Sequence, residues 1–178
     1  MKYKVKSLLD AFDDCDVDMM GHQANCFCKM GSGIAPLIAE AWPNARAVDN
    51  KTIDLGAKKL GNFTCALGDR TGGVPGTIIN FYGQFFPGNT SVLEVGSIFD
   101  GMGRYEPLRH ALRSFNISIS SLPEGYTIGL PLLGCGLAGG DWTVVEQIIE
   151  EELTNIEPII CVLKRSDIPN GNRKEVLN

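Results

Sequence analysis

The stretch TIGLPLLGCGLAGGDW, residues 127–142, decides how the rest of the sequence is interpreted. Its first seven residues are almost all apolar, which predicts a strand that is buried on both faces of a sheet. Four of the next seven residues are glycine. Asp141 then stands where a helix N-cap is expected, just before apolar residues that recur at helical spacing from Trp142 to Leu153. A buried strand, a glycine loop and an amphipathic helix in this order are typical of an α/β protein.

The same alternation of strand-like and helix-like segments runs through the whole chain. Strands are predicted at 3–7, 17–24, 63–67, 77–82, 127–133 and 159–163, and helices from residue 34, at 105–115 and at 142–153. No linker or repeat interrupts the pattern, and 178 residues suit one compact domain, 1–178. We therefore expect a three-layer α/β/α sandwich around a mixed, largely parallel sheet.

Composition excludes several classes of protein. Hydrophobic residues make up 44% of the chain and charged residues 21%, which argues against a disordered protein. A net charge of −5 without a basic run argues against non-specific nucleic-acid binding. No apolar run approaches 18 residues and no signal peptide is visible, so we expect no membrane partner and a cytoplasmic location with reduced thiols. The Cys26-x-Cys28 pair lacks a second pair at zinc-ligand spacing, so no metal site is expected.

A second glycine segment, 30–33, follows the predicted strand at 17–24. Ligands of α/β sheets bind beyond the carboxyl ends of the strands, where both glycine segments are predicted to lie. Gly134, Gly136 and Gly139 match G-x-G-x-x-G, but the next strand ends at 163–164 without the acidic residue that a dinucleotide-binding domain places there. The two loops therefore predict a phosphate-bearing ligand held by backbone amides, outside a dinucleotide-binding domain.

Three polar residues near the loops each have two interpretations. His22, at the end of its strand, is either a general acid or base or a core histidine that is bonded to the backbone. Asn25 either bonds sugar hydroxyls or closes a turn. Asp141 is more typical of a helix cap than of a catalytic group. His110 lies on a predicted helix far from both loops in sequence and is expected at the surface.

The segments 21–35 and 130–142 resemble the two ligand loops of the macro domain family, which binds ADP-ribose. Between those two loops in sequence, residues 80–84 are similar to a strand end that is common in the family. The resemblance covers nearly the whole chain. The first loop is closest to the branch that contains ADP-ribose 1″-phosphate phosphatases and terminal ADP-ribose protein glycohydrolases. His22 lies eight residues before the glycine turn, and Asn25 lies three residues after His22. Both match residues of the phosphatase subgroup.

The resemblance implies an enzyme that binds ADP-ribose and hydrolyses ADP-ribose 1″-phosphate to ADP-ribose and phosphate, with no cofactor. His22 would transfer the proton, and Asp141 would orient the His22 side chain. The expected ligand contacts are Asp10, Asn25, Met30, Gly31, Ser32, Gly33, Ile34, Ala35, Gly134, Cys135, Gly136, Leu137, Ala138 and Gly139. The partner would be ADP-ribose or an ADP-ribose derivative, including ADP-ribosylated macromolecules. Asp10, implied as the adenine contact, is displaced by about two residues from the family's position.

Two departures from the family keep other functions open. The glycohydrolase subgroup relies on a lysine where this chain has Gly68 or Asp69, and on an aspartate where it has Ala138. One alternative is an ADP-ribosyl hydrolase that removes ADP-ribose from protein or nucleic acid. Another is a non-catalytic reader of ADP-ribose, or a sponge for a nucleotide signal.

Overall fold

A single sheet organises residues 1–88, 103–169 and 175–177, which the computed structural model describes. Within these ranges its strands are β1 (Lys2–Val5), β2 (Met19–Asn25), β3 (Phe63–Asp69), β4 (Pro75–Gln84), β5 (Thr127–Leu130), β6 (Glu157–Val162) and β7 (Glu175–Leu177). The spatial order is β3-β4-β2-β5-β6-β1-β7. All neighbouring pairs are parallel except β3 with β4, which are antiparallel at one edge. The sheet is therefore mixed and largely parallel, as the sequence predicts.

Helices cover both faces of this sheet. In the described ranges they are α1 (Leu8–Asp13), α2 (Ala35–Ala41), α3 (Pro43–Asn50), α4 (Glu106–Ser118) and α5 (Trp142–Glu152), with 3-10 turns at Ile53–Lys59, Thr71–Gly73 and Arg165–Asp167. None of them is long and apolar enough to cross a membrane.

Two hydrophobic cores, one on each face, confirm the three-layer architecture. One contains the apolar residues of α4 and α5, and the other contains those of α1, α2 and the start of α3. Consecutive strand residues enter opposite cores: Ile78 packs with the second group and Ile79 with the first. This is the alternation that a strand imposes on its side chains, and it explains why the central strands are apolar at nearly every position.

Some predicted boundaries were wrong. β5 ends at Leu130 rather than at 133, because Pro131 has no backbone N–H to continue the ladder. Three elements are not predicted by the sequence pattern: α1, α3 and β7, whose lengths of six, eight and three residues leave little periodicity to detect. The helices near residue 34, at 105–115 and at 142–153 are confirmed, and His110 is exposed as expected.

Gly21 allows β2 to pack in the centre of the sheet, and its substitution tests this packing. A Cβ there would lie 2.6 Å from Phe81 Cε2 and 2.8 Å from Leu130 Cδ2. We expect Gly21→Ala to lower the free energy of unfolding by about 1–3 kcal/mol, the usual cost of overfilling a core. The measurement is urea denaturation. Gly31→Ala is the control, since no atom lies within 4 Å of its Cβ position. Equal stability of wild type and Gly21→Ala would show that the core has room for the added methyl group.

Candidate ligand-binding site

A cavity of about 430 Å³ opens at the sheet edge where β2, β5 and β6 end. Its walls are formed by residues 22–25, 29–30, 32–35, 131–138 and 161–163, together with Asp49, Gln84, Pro87, Gly88 and Asp167. Both glycine segments of the sequence thus border one space. The volume lies within the range of about 300–1,000 Å³ that small-molecule sites occupy.

The second glycine loop, 134–140, folds back on itself. Gly140 N–H donates to the carbonyl oxygen of Gly134 at 2.8 Å, and Gly139 N–H donates to that of Gly136 at 2.9 Å. Gly134 has a φ of +66°, and a Cβ at Gly140 would lie 2.7 Å from the Gly134 oxygen. This tight return therefore requires glycine at 134 for its conformation and at 140 for its close approach.

Backbone N–H groups of both loops are free for a ligand. They belong to Gly136, Leu137 and Ala138 in the second loop and to Gly31, Ser32 and Gly33 in the first, and none donates to an acceptor in the described part of the chain. Consecutive unpaired amides are the donors that proteins use to bind phosphate groups.

Neighbouring side chains hold the second loop in place. A Cβ on Gly134 would lie only 2.7 Å from Gln23 Oε1, so the Gln23 carboxamide packs directly under the loop. Gln23 Nε2 in turn donates to Gln84 Oε1 at 2.6 Å. On the far side, Arg104 donates to the carbonyl oxygen of Ala138, and the Tyr105 hydroxyl accepts from the backbone N–H of Asp141 at 2.9 Å. The loop is therefore fixed before any ligand binds.

Asn25 organises the first loop through its own side chain. Its Oδ1 accepts from the backbone N–H groups of Phe27 and Lys29 at 3.0 and 3.2 Å, and its Nδ2 donates to the Lys29 carbonyl oxygen at 2.9 Å. Of the two interpretations of Asn25, the structure displays the turn-closing one. Asn25 also lines the cavity, and its contact with a ligand sugar stays a prediction.

His22 lies beneath the cavity and has no exposed surface. Its Nε2 is 2.7 Å from Asn80 Oδ1 and its Nδ1 is 3.2 Å from the Gln23 carbonyl oxygen. Burial lowers the pKa of His22 below its usual value, and the smaller opposing effects of these hydrogen bonds and of the Asp49 charge do not reverse the shift. These hydrogen bonds and the burial match the core-histidine interpretation. His22 is also among the residues that line the cavity, and its catalytic role stays a prediction.

Two expected acidic residues lie away from the cavity. Asp141 is exposed and its Oδ1 accepts from Thr143 N–H at 2.9 Å, so it caps α5. Asp10 is exposed on α1. Neither lines the cavity, whose described acidic residues are Asp49 and Asp167. Neither is predicted from the sequence, because Asp49 is on an unpredicted helix and Asp167 lies five residues beyond β6.

Most of the other predicted contacts border this cavity, and their contact with a ligand stays a prediction. All the expected residues from Met30 to Ala35 except Gly31, and from Gly134 to Ala138, line the cavity, whereas Gly139 does not. In the described ranges, no group of three or more histidine, cysteine or acidic side chains is arranged to hold a metal ion.

Comparison with known proteins places this geometry in a fold family. No protein-family model matches the sequence. The macrodomain of Mycobacterium tuberculosis DarG superposes with a TM-score of 0.66 at 23% identity, over 90% of this chain and 97% of that one. The chain has the macrodomain fold.

Two further proteins are similar to this chain. Thermosipho africanus DarTG, solved in complex with ADP-ribose, matches with a TM-score of 0.65 at 18% identity, over 86% of this chain and 40% of that one. An uncharacterized 17.5 kDa protein from the tk-vs intergenic region of Enterobacteria phage T4 is 27% identical over 143 residues. That alignment spans 79% of this chain and 83% of the phage protein.

The buried state of His22 predicts a pH dependence of stability. Because the folded state holds the pKa of His22 below that of the unfolded chain, the unfolded chain binds the extra proton. The contribution of His22 to the free energy of unfolding is therefore fully present above about pH 6.5. It is lost as the pH drops from there toward the lower pKa of the folded state. We expect the free energy of unfolding of wild type to fall between pH 7.5 and 5.5 by up to about 1.4 kcal/mol per pH unit, and that of His22→Gln to change less.

Urea denaturation across this pH range measures the difference. The matched control is His110→Gln, since His110 is the other histidine of the chain and is exposed. Identical pH slopes for wild type and His22→Gln would contradict the assignment of His22 as a buried, neutral imidazole.

Proposed function

We propose that this protein binds ADP-ribose and hydrolyses ADP-ribose 1″-phosphate to ADP-ribose and phosphate. One observation carries the proposal: two glycine loops, about 100 residues apart in sequence, border a single cavity, and several of their backbone amides have no acceptor among the described residues. In ADP-ribose 1″-phosphate, a ribose separates the diphosphate from the 1″-phosphate, so each loop would bind one of these groups. The macrodomain fold and the ADP-ribose complex of Thermosipho africanus DarTG support the same ligand.

The loops divide the ligand between them in this proposal. The amides of Gly136, Leu137 and Ala138 bind the diphosphate, and the first loop, Met30 to Ala35, surrounds the distal ribose and its 1″-phosphate. The adenosine end extends toward the end of β6, where Leu163 and Asp167 line the cavity. Backbone donors fixed before binding can stabilise the charge that develops on a transferred phosphoryl group without reorganising.

A non-catalytic reader is the second candidate, and the surroundings of His22 favour it. The histidine that the phosphatase subgroup uses is enclosed here, and Asp141 caps a helix. Removal of ADP-ribose from macromolecules has weaker support. The glycohydrolase subgroup relies on a lysine that this chain lacks. Position 68 has no room for that side chain, because a Cβ on Gly68 would lie 2.8 Å from Trp42 Cδ1.

Two measurements on the wild-type protein test the proposal. We expect calorimetry with ADP-ribose to give micromolar binding, about −8 kcal/mol, and a phosphate-release assay with ADP-ribose 1″-phosphate to show turnover. Binding without phosphate release would establish the reader instead. Release of ADP-ribose from modified protein or DNA, without phosphate release, would establish the alternative hydrolase. No heat at millimolar ADP-ribose would contradict all three functions.

Gly136→Val tests the diphosphate loop directly. Gly136 is exposed in the cavity wall, its φ lies outside the left-handed region, and no atom lies within 4 Å of its Cβ position. We therefore expect the variant to fold with nearly unchanged stability and to lose ADP-ribose affinity at least 100-fold. This loss corresponds to about 3 kcal/mol, the usual worth of one or two charge-assisted hydrogen bonds.

Calorimetry and thermal melting measure the two effects separately. Ser121→Ala, in an exposed loop, is the control and should change neither. A folded Gly136→Val protein with wild-type affinity would show that the second loop is only a turn.

A further inference from the structure

Asp49 lies in the cavity wall, and its side chain is almost completely buried. It lies near the end of α3 and is 1% exposed. Its Oδ1 accepts two hydrogen bonds, from Lys59 Nζ at 2.8 Å and from the Tyr82 hydroxyl at 3.0 Å. The carboxylate is therefore held in one orientation by donors from a 3-10 turn and from β4.

The second oxygen of this carboxylate has no hydrogen bond from the described residues, because both donors bond to Oδ1. Every fully buried side-chain nitrogen or oxygen atom of those residues has a hydrogen-bond partner, so Oδ2 is not fully buried. Asp49 also lines the cavity, and Oδ2 is the carboxylate oxygen that is left for a contact there.

Lys59 keeps the pair charged. Its side chain is 1% exposed, its Nζ also lies 3.0 Å from Cys28 Sγ, and the Tyr82 ring centroid is 4.2 Å away. Burial lowers the pKa of Lys59, but hydrogen bonds to Asp49 and Cys28 outweigh burial, and the net shift is upward. The Lys59 ammonium group therefore lies 2.8 Å from Asp49 Oδ1 as its charged partner.

Asp49 also adjoins the loop that would hold the 1″-phosphate. The Cys28 thiol donates to the Asp49 carbonyl oxygen at 3.1 Å, and Cys28 lies two residues before Met30, which lines the cavity. The carboxylate thus lies on the side of the first loop, whereas Asp167 lies at the end of β6.

The other ionisable groups of the cavity wall suit proton acceptance less well. His22 has no exposed surface, and burial raises the pKa of the Cys135 thiol to about 11 and that of Cys161 to about 12, so both stay protonated at neutral pH. Asp167 is exposed and follows β6, away in sequence from the first loop.

We propose that Asp49 is the general base of the hydrolysis, with Lys59 and Tyr82 as its positioning residues; this inference rests on the proposed function. One proton of the attacking water passes to Asp49 Oδ2, and the water oxygen forms a bond to phosphorus. The bond between phosphorus and the 1″-oxygen breaks, and its electron pair stays on that oxygen, which takes a proton from solvent water. Asp49 then releases its proton to solvent.

Asp49→Asn removes the base and keeps its shape. We expect phosphate release to fall about 10²–10⁴-fold, the usual contribution of a general base, while ADP-ribose affinity stays within a few-fold of wild type. Asp54→Asn is the matched control, because Asp54 is an exposed carboxylate on the 3-10 turn that carries Lys59, and it should keep full activity.

A second variant separates catalysis from folding, because Asp49→Asn leaves the Lys59 charge buried without its partner. Asp49→Asn combined with Lys59→Met removes both charges, and we expect it to melt cooperatively, bind ADP-ribose and release no phosphate. A folded double variant that turns over normally would overturn the role of Asp49 and leave the proposed function intact. A folded double variant that no longer binds ADP-ribose would make Asp49 a binding residue instead. Wild-type protein that binds without turnover would overturn the hydrolysis itself.

Discussion

The parallel pairing of β2 with β5 fixes where both glycine loops lie. Met19 and Met20 pair with Ile128 and Gly129, so the two strands run in the same direction through the centre of the sheet. Parallel strands end at the same edge, and each of these continues into a glycine segment there. Without this pairing, two loops about 100 residues apart would not share a cavity.

A chain of buried polar groups under this edge connects the sheet to the first loop. His22 bonds Asn80 across the β2–β4 pair, Asn80 Nδ2 donates to Thr64 Oγ1, and the Thr64 and Tyr82 hydroxyls are 2.9 Å apart. The Tyr82 hydroxyl then donates to Asp49, which pairs with Lys59. Each member is satisfied by the next, so removal of one leaves a buried polar or charged group without a partner. Such a network specifies a single arrangement of the cavity floor.

The two loops obtain their rigidity in different ways. The second loop closes through its own backbone and rests on Gln23 and Arg104. The first loop depends on the Asn25 side chain and on the contact between Cys28 and Asp49. Donors that are fixed before binding lose little entropy when a ligand arrives.

The sequence by itself determined the class of fold and the position of both loops, because apolar strands, helical periodicity and glycine runs are local signals that need no partner. Of the ligand contacts that it predicted, those at 134–138 and those at 30–35 other than Gly31 line the cavity. Only the tertiary structure decided which polar side chains reach the cavity. His22 is enclosed by a partner 58 residues away, Asp141 caps its own helix, and the missed Asp49 is held by Tyr82 from another strand. The exposure of a polar side chain depends on groups distant in sequence that pack around it, and no local pattern encodes those contacts.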